Sequence, residues 1–166
     1  MYKRILGIDP SHVATGWAFL EKGEIKEYGV IRPGKLRGDP RLYFIEKEIK
    51  EILKKFKPSL GIVEGYAYQK SRGGGMVFNI GELGWCIRRG LFIRNIKIKI
   101  VNPTTLKKQI AGYGHASKGM MFTAAKKISG CSFPGVPLAV RDNVVDAFCL
   151  AEYGRRNRRR IEEEIC

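Results

Sequence analysis

The chain has 166 residues, 44% hydrophobic and 28% charged, enough for one globular domain that buries its core without metal or disulfide staples. Lys and Arg number 31 against 16 Asp and Glu, and the resulting formal charge of +15 favours a polyanionic partner, most often nucleic acid, with salt-sensitive binding. No low-complexity block is present and no apolar run approaches membrane-span length, which excludes a disordered chain and a helical membrane protein.

In chain order, Ile5–Ile8 reads as a buried strand that ends in a carboxylate, Asp9. Thr15–Leu20 and Glu24–Ile31 read as a hairpin across Glu21-Lys22-Gly23, with Gly23 as the turn residue. Arg32–Gly38 is a loop. A helix is expected from Asp39-Pro40, with Asp39 as N-cap and Pro40 at the first helical position. Its Leu42, Ile45, Ile49, Ile52, Leu53 and Phe56 follow the helical period, and Pro58 ends it. Leu60–Val63 is a second short apolar run ending in an acid, Glu64.

The stretch "GYAYQKSRGGGM" that follows is a glycine-rich, basic, aromatic loop, and Met76–Arg89 is expected to be helical despite Gly81 and Gly84. Ile96–Val101 alternates apolar residues with Lys97 and Lys99, the pattern of an exposed edge strand. Asn102-Pro103 opens a helix to about Ile110, and Ser117 caps another to about Ser129. A Pro/Gly loop precedes a last helix that begins near Asp142 and runs into an arginine-rich tail. These elements predict one mixed α/β sheet with a hairpin edge and helices on both faces, without a linker or internal repeat.

Four carboxylates stand out by context. Asp9 and Glu64 close strands, while Asp142 and Asp146, four apart, share one face of the last helix. Sites in α/β sheets collect where strands end and helices begin. Taken singly, each acid has a structural reading: Asp9 as a turn residue, Glu64 as a solvated strand end, Asp142 as an N-cap. Together they form a hard oxygen donor set suited to Mg²⁺ or Mn²⁺, which in a basic chain fits phosphodiester hydrolysis. Cys86, Cys131, Cys149 and Cys166 show no CxxC spacing, and His12 and His115 do not complete a zinc set. With no leader-like segment after Met1, the expectation is a reducing, cytoplasmic compartment.

"LGIDPSHVATGWA", with seven residues from Asp9 to Gly16, resembles the first motif of RuvC-type Holliday junction resolvases. "IVEGYAYQ" resembles their second acidic motif, "LKKQIAGYGHASKGMM" their basic segment, and "DNVVDAFCLAEYG" their closing Asp-Ala helix. The motifs occur in family order over nearly the whole chain. The resemblance implies an RNase H-like five-stranded sheet of order 3-2-1-4-5, a homodimer, and paired nicking of four-way DNA junctions with two Mg²⁺ per site, Mn²⁺ substituting. It implies a nuclease domain over residues 1–154, with 155–166 as a helical extension of it. Carried over by position, Asp9, Glu64 and Asp146 are metal-binding acids, and Lys107 and Lys118 support catalysis or hold phosphate.

Two departures accompany the match. The family places its third acid, or a histidine, three residues before the last, and that position here is Asn143. Asp142 is the candidate fourth ligand, with the Asn143 amide oxygen as the alternative. The loop after Glu64 is about two residues longer than in the bacterial enzymes, so the aromatic that wedges the junction is Tyr66 or Tyr68, ordinary packing being the competing reading. Viral resolvase-like proteins are compatible with both departures. Lys70 and Arg72, beside glycines and close to Glu64, are expected to contact DNA rather than only solvate a loop. Met76–Leu91 is the expected dimer helix. In the tail, Arg158–Glu162, Arg159–Glu163 and Arg160–Glu164 are spaced for intrahelical pairing. The competing functions are a nuclease acting on flaps, forks or RNA–DNA hybrids, a non-catalytic junction-binding protein, and an actin-like ATP-binding fold. The last lacks a second phosphate loop.

Overall fold

The computed structural model describes residues 2–65 and 74–165, with residues 74–80 and 165 described by backbone alone. Five strands, β1 (Arg4–Asp9), β2 (Thr15–Glu21), β3 (Glu24–Ile31), β4 (Leu60–Glu64) and β5 (Lys97–Val101), form one sheet of order β3-β2-β1-β4-β5. The β1–β2 and β2–β3 pairs are antiparallel, while β1–β4 and β4–β5 are parallel. The hairpin turn falls on Lys22 and Gly23, both at positive φ, as a two-residue loop matching strand twist requires.

Strand alternation sorts side chains onto two cores. Leu6, Ile8, Trp17, Phe19 and Val63 face α1 (Gly38–Phe56) and α2 (Gly74–Phe92), meeting Ile45, Ile49, Leu53, Leu83, Ile87 and Leu91. Ile5, Ala18, Leu20, Leu60 and Ile62 face the other way, onto α3 (Pro103–Ala111), α4 (Lys118–Ser129) and α5 (Arg141–Arg156). By the same period of two, Asp9 and Glu64 belong to the α5 face. The register Ile8↔Val63 sets the two acids one step further along adjacent parallel strands.

Small residues let α5 lie directly on the central strands. A Cβ built on Gly7 would sit 2.0 Å from the Ala147 carbonyl oxygen, and one on Gly16 would sit 2.0 Å from that of Asn143. Backbone therefore meets backbone where Asp146 faces the sheet.

The expected caps hold at α3 and α4: the Asn102 side chain accepts from the Thr104 N–H and Ser117 from the Met120 N–H. At α1 the expectation fails. The helix begins at Gly38, with Arg37 at the N-cap position and no side-chain cap hydrogen bond. Gly38, at φ 53°, takes a left-handed conformation that brings the chain into the helix earlier. Asp39 lies inside the first turn, where its charge opposes the positive end of the helix dipole. The last helix also divides. After α5, Asn157 donates its side-chain amide to the Tyr153 carbonyl at 2.9 Å, and α6 (Arg158–Ile165) begins. Ile161 anchors α6 in the α5-side core, and Glu164 accepts from Lys99 of the edge strand. Arg160–Glu164, one of the expected tail pairs, forms at 2.8 Å.

Among the described residues, no helix is long and apolar enough to cross a membrane. Cys86, Cys131 and Cys149 are free thiols.

Candidate active site

Asp9 ends β1 at the sheet centre and is only 8% exposed. The loop that leaves it is latched by Ser11 and Thr15. The Ser11 N–H donates to Thr15 Oγ1 at 3.1 Å, and the Thr15 hydroxyl donates to the Ser11 carbonyl at 2.7 Å. Ser11 Oγ also accepts from the Val13 and Ala14 N–H groups, each at 3.3 Å. The latch fixes the course of the chain as it leaves Asp9. Beside it, the chain after Glu64 is pinned by the Gly65 N–H on the Val101 carbonyl at 2.8 Å.

The two strand-end acids touch. Asp9 and Glu64 are joined by a side-chain hydrogen bond, and Asp146 of α5 adds its charge to both neighbours' field. Burial raises the Asp9 carboxyl well above its ordinary value, and Glu64 and Asp146 push it further. The Asn143 amide works the other way, donating from Nδ2 to Asp9 Oδ2 at 3.1 Å. Glu64 is also raised by burial, offset by its side-chain contact with Asp9 and by the charge of Lys107. Asp146 is pushed up to about 7, first by burial and then by Glu64 and Asp142, with Lys107 and Lys118 opposing.

The other sequence-derived residues divide into three groups. Lys107, half-buried on α3, stands near Glu64 and Asp146. Lys118, the first residue of α4, pairs with Asp142 at 2.9 Å and lies largely in solvent at the rim. Asp142 therefore faces a lysine, while its neighbour Asn143 is the α5 side chain bonded to Asp9. Tyr66, Tyr68, Lys70 and Arg72 lie outside the described residues. The Ser11–Thr15 latch escaped sequence reading, although two hydroxyls four apart after a strand-end acid are the kind of local pair that closes a turn.

Three crowded carboxyls, one buried and two half-buried, constitute an electrostatic cost that a divalent cation would relieve. The donor chemistry fits a hard ion: oxygen ligands alone, from β1, β4 and α5. Among the described residues no three His, Cys, Asp or Glu side chains form a ready-made ion site, so an ion would require these side chains to rearrange around it.

The raised acids carry a pH signature. A carboxyl whose folded value lies above its unfolded one binds more protons in the folded state, so stability falls as pH rises through that window. For Asp146 the window runs from the ordinary value of 3.8 to about 7. Without divalent metal, Asp146→Asn should melt several degrees above the unsubstituted chain at pH 8, with the gap closing toward pH 4, at about 2–4 °C per kcal/mol for a domain of this size. Thermal denaturation followed by circular dichroism checks this; equal melting temperatures at pH 8 would show that Asp146 carries no such cost.

Comparison with known proteins adds an independent line. The family model described as Crossover junction endodeoxyribonuclease RuvC matches residues 5–149. A protein of that name from Brachyspira hyodysenteriae is 28% identical over 160 residues, covering 92% of this chain and 94% of the relative. Another from Prochlorococcus marinus is 30% identical over 153 residues, covering 89% and 93%. Thermus thermophilus RuvC, solved in complex with a Holliday junction substrate, superposes with a TM-score of 0.78 at 19% identity, covering 95% of this chain and 96% of the other. That likeness shows the fold, with the strand order expected of an RNase H-like sheet. The family match runs from β1 into α5 and takes in Asp9, Glu64 and Asp146, and the chain belongs to the RuvC family of crossover junction endodeoxyribonucleases.

Proposed function

We propose that the protein is a Mg²⁺-dependent endodeoxyribonuclease that resolves four-way DNA junctions by paired nicking, and that it acts as a homodimer in the cytoplasm. The observation that carries this reading is the crowding of buried Asp9 and half-buried Glu64 against Asp146 at one corner of a chain with formal charge +15. A lone buried acid has structural explanations; three carboxyls that raise one another's charging cost do not stabilise a fold, which supports a chemical role.

Asp9, Glu64 and Asp146 would hold two Mg²⁺ ions, Mn²⁺ being an alternative, with the Asn143 amide oxygen taking the fourth position in preference to Asp142, which is engaged by Lys118. Bound there, such ions supply a hydroxide-like water and charge stabilisation for the leaving 3′ oxygen. The chain's own groups orient the DNA. Lys107, on the inner side, neutralises charge next to Glu64 and Asp146, and Lys118, at the rim, is free to trade Asp142 for a phosphate. A two-fold pair of such sites cuts a junction symmetrically. The buried face of α2 is Leu83, Ile87 and Leu91, and Trp85 and Phe92, 57% and 74% exposed, leave that helix an apolar outer side for a second copy.

The purified protein is expected to convert a labelled mobile four-way junction into nicked duplexes in Mg²⁺ and to bind without cutting in its absence. Flaps, forks and RNA–DNA hybrids run in parallel test substrate choice. Tight, salt-dependent binding with no Mg²⁺-stimulated cleavage of any substrate would make it a junction-binding protein and overturn the reading.

A further inference from the structure

Glu152 of α5 is a carboxylate in an apolar stretch, 1% exposed, between Ala151 and Tyr153 in the α5-side core. Removing a carboxylate from water costs several kcal/mol unless its oxygens are fully engaged, and an apolar side chain would pack this position without that cost. Its oxygens are engaged. Arg155 grips them through Nε at 2.6 Å and Nη2 at 2.7 Å, and Arg156 Nε adds a third bond at 2.7 Å. The two arginines hold the Glu152 carboxyl below its ordinary value despite burial, so it stays charged.

The arrangement does not end at α5. Arg156 Nη1 donates to the Gln109 carbonyl at 3.3 Å, and Asn157 Nδ2 donates to Gln109 Oε1 at 2.7 Å. Gln109 lies in the last turn of α3, where carbonyls have no intrahelical partner. One guanidinium therefore spans two helices, with a buried anion fixing its orientation. Lys107 sits two residues before Gln109 on the same helix, and its ammonium lies near Glu64 and Asp146. Leu106 and Ile110 hold α3 against the core by apolar contact, which resists rotation about the helix axis less than a directional hydrogen bond does.

We propose that Glu152 is a positioning residue for Lys107, acting through the Arg156 bridge to Gln109. Glu152 touches neither substrate nor ion. It aims the guanidinium that sets the rotation of α3, and so sets where the Lys107 charge stands relative to the acids. The proposal rests on Lys107 acting at those acids, as inferred above.

Arg156→Lys tests it with little risk to folding, because the charge stays, Arg155 still satisfies Glu152, and one ammonium cannot reproduce the fork. Glu152→Gln is the companion variant. In both, backbone amide exchange across residues 103–111 should quicken while that across 118–129 is unchanged. Single-turnover cleavage of a four-way junction should fall about tenfold, the scale of a sub-ångström displacement of a working group, with junction affinity unaltered. The decisive measurement is the combination with Lys107→Met. If the bridge works through Lys107, Arg156→Lys/Lys107→Met cleaves no more slowly than Lys107→Met alone. A further tenfold loss in the double variant, with Lys107→Met itself slow, overturns the positioning role and leaves the role of Lys107 standing. Cleavage at full rate by Lys107→Met overturns both.

Discussion

Asp9→Asn is expected to lower the rate of junction cleavage by about a thousandfold or more while leaving junction binding intact, since removal of one metal-binding charge forfeits several kcal/mol of transition-state stabilisation. Asp9 touches Glu64, accepts from Asn143 and lies in the field of Asp146. Every group proposed to hold an ion is therefore within its reach. Asparagine keeps the size of the side chain and one oxygen but not the charge, and the substitution relieves repulsion within the apo protein, so the fold should be at least as stable. Single-turnover cleavage in Mg²⁺, paired with gel-shift binding in its absence, separates the two effects. Cleavage within tenfold of the unsubstituted rate would remove Asp9 from the chemistry.

Gly7→Ala is expected to cost about 3 kcal/mol or more, the upper range for forcing extra volume into a packed interior, because backbone rather than a flexible side chain opposes it. The added Cβ would meet the Ala147 carbonyl oxygen at 2.0 Å and the Ala151 nitrogen at 2.7 Å. Relief requires α5 to lift off β1, which also draws Asp146, one residue before Ala147, away from Asp9. The variant should therefore unfold at lower urea and cut junctions poorly even where it is folded. Gly81→Ala is the control: open space surrounds its Cβ position on α2, and loss of a helical glycine should stabilise by roughly 0.5–1 kcal/mol. An unchanged urea midpoint for Gly7→Ala would show that α5 does not lie as close to β1 as described.

The two largest effects stand at different distances from the sequence. That Asp9 is a candidate was legible, because an acid ending an apolar strand is conspicuous and the surrounding motif resembles a family. That Gly7 matters was not. Glycine inside a strand has several meanings, and only the helix laid across it selects one. The choice between Asp142 and Asn143 has the same character. Both lie at the start of α5 at adjacent positions, about 100° apart around the helix, and spacing alone favoured the acid. In the folded chain Asn143 is turned to Asp9 and Asp142 to Lys118.

Glu152 shows a further limit. Nothing in the string "DAFCLAEYGRR" singled it out, and its i,i+3 and i,i+4 pairs with Arg155 and Arg156 emerge only in the folded chain. The sequence has no sign that Glu152 is buried or that Arg156 reaches α3. At α1 the error was local: Asp-Pro is a good helix start, but the glycine one residue earlier entered the helix first.

By itself the sequence determined the type and order of the elements up to the last helix, whose division it missed, the caps of α3 and α4, and the presence of acids at the ends of β1 and β4. These follow from periodicity and from short-range hydrogen bonding, which act over a few residues. Only the tertiary structure decided which acids meet, which α5 side chain joins Asp9, how far the site carboxyls are raised, and what holds α3. Those depend on burial and on contacts between residues more than a hundred positions apart, as Asp9 and Asn143 are, and such distances are set by packing rather than by local pattern.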